Sequence, residues 1–75
     1  MMATTFKFSE GQRVSTPDFD EDNLITGTIV GFTSNPADIV SRLTRMHGGP
    51  WYLIEFESLG LYEWDAESEL TAVLP

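Results

Sequence analysis

The sequence predicts a mainly β protein: five short strands forming a small barrel, with one α-helix inserted at about residues 36–46 between the second and third strands. Three observations carry that expectation. Tyr52, Ile54 and Phe56 alternate with Leu53, Glu55 and Glu57, an apolar face against a largely acidic one, which is the period of a half-buried strand. β-branched residues crowd ITGTIVGF, residues 25–32, between turn signals on either side. Only in SNPADIVSRLTRMHGGP, residues 34–50, does the apolar period become helical.

The first strand is expected in GQRVST, residues 11–16, with Val14 pointing inward and Pro17 ending it. The acidic loop PDFDEDN follows. In the second strand, Gly27 and Gly31 suit a bulge or a close approach of two backbones, as a tightly coiled sheet requires. The inserted helix has Asn35 as N-cap, Pro36 at its first position and Asp38 in its first turn, each favoured at a helix N-terminus. Ile39, Val40, Leu43 and Met46 form its apolar stripe, and Gly48 stops it. The third strand resumes at Trp51, and Ser58, Leu59 and Gly60 turn the chain. The fourth strand, 61–65, is expected to turn Tyr62 and Trp64 inward and Glu63 and Asp65 outward. A single helical turn at 66–69 and a short closing strand at 70–73 complete the order. Val14, Ile29, Ile54, Phe56, Leu70 and Val73 are the expected core, with Tyr52 or Trp64 closing one end.

The GQRV opening, the TGTIVGF strand, the WYLIEFE strand and the final ESELTAV together resemble the SH3-like small β-barrel family. The pattern is similar to barrels of the type of the stromal photosystem I subunit and the ferredoxin–thioredoxin reductase variable chain. It spans nearly the whole chain from Gly11, and such motifs specify a fold more than a function. The sequence departs from the pattern in its inserted helix and in its acidity, and like charges would repel an acidic ferredoxin.

With 75 residues, one domain spanning 1–75 is expected, its first nine residues loosely ordered. The absence of cysteine excludes disulfides, thiolate chemistry and cysteine metal sites, and fits a cytoplasmic protein. No apolar run approaches the roughly 20 residues that span a bilayer, so no membrane role is expected. The net charge is −8, from twelve acids and four bases. Direct nucleic-acid binding needs Lys and Arg to neutralise phosphates, and four scattered bases do not supply them.

Catalysis finds little support. His47 is the one histidine, at a helix end where the dipole favours its charged form. The carboxylates of Glu55, Glu57, Glu63 and Asp65 read as a solvated face rather than a glycosidase pair. Asp18, Asp20 and Asp22 share the spacing of the first three calcium-loop ligands, but Asn23 and Ile29 stand where that loop needs Gly and Glu. The residues of a Tyr-lined groove for proline-rich peptides are missing from RVSTPDF and ESELTAV. No cofactor, no metal and no catalytic residue are therefore expected.

What remains is a small acidic, non-enzymatic protein-interaction or accessory module whose partner has a basic surface. Its expected contact residues are Asp18, Phe19, Asp20, Glu21 and Asp22 in the acidic loop, with Arg42 and Trp51 near the inserted helix. The alternative is an acidic inhibitor or nucleic-acid mimic of the phage or mobile-element type, binding a basic protein surface. Either a monomer or a homodimer is compatible with these features.

Overall fold

Each strand forms where the β-branched and aromatic residues lie. A computed structural model describes residues 5–17 and 23–74. The strands are β1 (Arg13–Pro17), β2 (Leu24–Thr33), β3 (Trp51–Phe56), β4 (Leu61–Ala66) and β5 (Thr71–Ala72). They make one antiparallel sheet in the order β4-β3-β2-β1-β5. Strands β4 and β5 are its two edges, so the sheet coils around a core without closing into a barrel.

The core lies on the inner face. Val14, Ile29, Tyr52, Ile54, Phe56 and Leu70 are buried there together with Phe8. Each such side chain contributes about 1.5–3 kcal/mol by leaving water. Phe8 lies in the segment expected to be loose. It is held by its own N–H, which donates to the Tyr52 hydroxyl at 3.2 Å, and by ring packing on Tyr52 at 5.3 Å. Val73 is not core as expected: it is 39% exposed. Val14 pairs with Ala72, so Leu70 and Ala72 share the inner face and Val73 must turn outward.

The two strand glycines serve the two purposes expected of them. A Cβ on Gly27 would lie 2.5 Å from the Ile54 side chain and 2.8 Å from the Glu55 carbonyl. At Gly31 the β2–β3 register slips by one residue, which is a bulge that sharpens the coil.

The inserted segment departs most from expectation. In place of one ten-residue helix there is a 3₁₀ turn, Pro36–Asp38, and a separate helix α1, Arg42–Met46. Asn35 caps the turn by accepting from the Ala37 N–H at 3.0 Å. Ile39 is extended, and Ser41 starts afresh by accepting from the Thr44 N–H at 3.3 Å. The β-branched pair Ile39-Val40 disfavours helix, and Ser41 competes as a cap. The expected stripe is consequently divided. Ile39 is buried, whereas Val40, Leu43 and Met46 are exposed, Val40 to 92%.

Ile39 packs on the outer face of the sheet, where Trp51 and Ala66 form a second small core backed by Trp64. The Trp51 indole N–H donates to the Thr44 carbonyl at 2.9 Å. This bond fastens α1 to the sheet. No helix among the described residues is long and apolar enough to cross a membrane.

Candidate functional site

The β3–β4 hairpin decides which side chains face the interior. Its loop is the four residues 57–60, with Gly60 at φ +66°, a left-handed conformation that glycine adopts freely. Phe56 therefore pairs with Leu61, Ile54 with Glu63 and Tyr52 with Asp65. Directly paired residues share a face, so Glu63 and Asp65 lie on the inner side and Tyr62 and Trp64 on the outer side. This reverses the orientation expected for β4. Alternation along a strand identifies two faces, but the register with the neighbouring strand decides which one is inner.

The consequence is a carboxylate at the open end of the core. Asp65 lines a cleft of about 230 Å³ with Thr16, Ile25, Phe56, Leu61 and Glu63. It also lines a second cavity of about 180 Å³, with Thr44, His47 and Glu69. Its Oδ2 is sealed from solvent and has no hydrogen-bond partner among the described residues. Burial, with the nearby charges of Glu63 and Glu69, pushes the Asp65 carboxyl up from 3.8 to about 6. Desolvation is the largest cause, because it penalises the charged form.

None of the protein's four bases lines either cavity. Arg13 sits on the outer side of the sheet, 3.1 Å from Glu57 and 2.8 Å from the Thr28 hydroxyl. Glu57 is held below the usual carboxylate range chiefly by accepting from that hydroxyl at 2.6 Å. The Lys7 ammonium lies over the Phe8 ring at 5.4 Å, and Arg42 and Arg45 are exposed on α1. The imidazole of His47 is turned to Glu69, with Nδ1 to Oε1 at 3.2 Å. Among the described residues no three His, Asp or Glu side chains are arranged to hold a metal ion.

A second polar cluster lies across the core. Tyr52 is fully buried, and its hydroxyl donates to Glu67 Oε2 at 2.5 Å. The same carboxylate oxygen accepts from the Lys7 backbone N–H at 3.0 Å. Burial first, and the Glu67 carboxylate next, push the Tyr52 hydroxyl above its ordinary value. This cluster ties the N-terminal segment to the 3₁₀ turn Glu67–Glu69.

Of the expected contact residues, Asp18, Phe19, Asp20, Glu21 and Asp22 lie outside the described residues, as does the calcium-like spacing. Arg42 is exposed at the start of α1. Trp51 is 4% exposed, packed with Ile39 and bound to the Thr44 carbonyl, so little of its ring is open to a partner in this fold. The inserted segment folds back over the strand at that point and covers the ring. Glu63 and Asp65 are not among the expected contact residues. The signal that could have found them is the length of the loop after Phe56. Compared with protein-family models, with curated proteins and with solved structures, the chain matches none.

Proposed function

We propose that this protein is a non-enzymatic interaction module that receives a Lys or Arg side chain of a basic partner protein in the inner-face cleft at Asp65. The observation that carries this reading is Asp65 itself. An acid with a buried oxygen that has no partner among the described residues, beside Glu63 and Glu69, is costly in isolation, and an incoming cation in the cleft would relieve the repulsion. The cleft reads as a binding site rather than a catalytic one because His47, the natural proton carrier, is committed to Glu69 on a half-exposed side chain. We also infer that the strands follow the SH3-like order. The sequential antiparallel pairing, the pairing of β1 with both β2 and β5, and the helical turn before β5 support it.

The second reading is an acidic inhibitor or nucleic-acid mimic that uses its total charge of −8. Titration of octalysine into the wild type and the Asp65→Asn variant separates the two. Cleft binding predicts a loss of about tenfold in affinity on that one change. A mimic predicts no effect of Asp65→Asn and a steep fall in affinity with salt. Unchanged binding by the variant would sink the cleft reading.

A further inference from the structure

Among the described residues, no strand pairs with the outer edge of β4. Beyond the end of β4, the Glu67 N–H donates to the Pro50 carbonyl at 3.0 Å, continuing the β3–β4 register. Backbone groups in an antiparallel strand alternate in direction, so the peptide groups of Leu61, Glu63 and Asp65 face β3. Those of Tyr62 and Trp64 face away from the sheet. A side-chain contact there agrees: the Trp64 carbonyl accepts from the Thr44 hydroxyl at 3.5 Å, a long contact that an incoming N–H would replace.

A groove of about 390 Å³ runs beside this edge, between Val40 and Thr44 on one side and Tyr62 to Asp65 on the other. Its two faces differ in chemistry. On the outer side of the sheet stand the exposed Val40 and Tyr62, the latter 60% exposed, with the half-buried Trp64. On the inner side stand Glu63 and Asp65, without a base. A second copy of the chain is a poor occupant, since pairing two β4 strands would bring Glu63 and Asp65 against the same acids on two bodies that each carry −8.

We propose that β4 accepts an extended segment of a partner protein as an added strand, with Lys or Arg alternating with apolar residues. The apolar side chains would lie against Tyr62, Trp64 and Val40, and the basic ones would point past the edge toward Glu63 and Asp65. This rests on the cleft reading above and specifies how the basic segment is held. Main-chain hydrogen bonds supply affinity in such additions, and alternate side chains supply specificity.

The register makes the test specific. In an antiparallel addition, residues opposite Tyr62 and Trp64 would share their face and exchange hydrogen bonds with them, so the partner's apolar residues would turn their N–H groups toward β4. Its basic residues would turn theirs to solvent. The probe is an acetylated and amidated octapeptide alternating lysine and valine, titrated into the full chain. N-methylation of its valines should weaken binding at least about tenfold, and N-methylation of its lysines should leave it within about twofold. Hydrogen exchange at the Tyr62 and Trp64 amides should slow in the complex. Asp65→Asn and Glu63→Gln, the latter at an exposed site, should each weaken it.

Equal binding of all three peptides, with loss in the charge variants, would overturn strand addition and leave the cleft reading standing. Equal loss from both methylations would overturn it as well. Absence of binding by the unmodified peptide at millimolar concentration would overturn both readings.

Discussion

Replacing Asp65 by Asn should stabilise the protein at neutral and alkaline pH, although it removes a residue from the candidate site. The carboxyl is raised from 3.8 to about 6 in the fold. Between those values the folded chain holds a proton that the unfolded chain has lost. The stabilisation from this proton is complete below about pH 4 and is lost as pH rises through about 6. Above that, folding carries the cost of an ionised, desolvated carboxylate. A rise of this size corresponds to about 3 kcal/mol, and solvent at the cleft mouth reduces it to about 1–2 kcal/mol. Asparagine has no charge to bury, so Asp65→Asn should raise Tm by about 5–10 °C at pH 8 for a chain of this size. The difference should shrink through pH 6 and vanish near pH 4. Thermal unfolding of both proteins followed by circular dichroism over that range measures it, and the other acids, common to both, cancel in the difference. Equal Tm values at pH 8, or a gain that persists at pH 4, would refute the assignment of Asp65 as a strained, unpartnered acid. More stability with weaker binding of basic peptides is the signature of a residue kept for contact rather than for the fold.

Gly27→Ala should destabilise by about 1–3 kcal/mol in urea unfolding, since its Cβ would overlap Ile54 and the Glu55 carbonyl. Gly31→Ala, whose Cβ would meet only Leu53 at 3.7 Å, should be the milder of the two. Tyr52→Phe should cost about 1–2 kcal/mol and speed hydrogen exchange at the Phe8 amide, because the hydroxyl bridges Phe8 and Glu67. Leu70→Ala should cost about 2–4 kcal/mol, against about 0.5 kcal/mol or less for Val73→Ser at its exposed position. Comparable losses for the two would contradict the strand parity at β5.

The parts of this fold that were legible in advance are those set by local rules. Alternation in residues 52–57 specified the inner face of β3, because side chains in a strand alternate whatever the strand packs against. Two glycines in β2 marked a close approach and a bulge, and at the first of them, Gly27, an added Cβ would clash with Ile54 and the Glu55 carbonyl. Asn35 and Pro36 started a helical turn where they should. The inserted helix failed because the apolar stripe could not show which of its members had somewhere to go. Ile39 found Trp51 and Ala66, and Val40, Leu43 and Met46 found nothing. Burial of Trp51 followed from that same contact, and an exposed aromatic at a strand start looks no different in sequence from a covered one.

Composition and periodicity by themselves determined a mainly β chain of short strands, strongly acidic and without cysteine. Tertiary structure alone decided where the acids went. A four-residue loop between Phe56 and Leu61 set the pairing, and through it turned Glu63 and Asp65 inward and Tyr62 outward. A strand of period two has no inside until a neighbour in a given register supplies one, so the most informative acid of the chain, Asp65, read in sequence as part of a solvated wall.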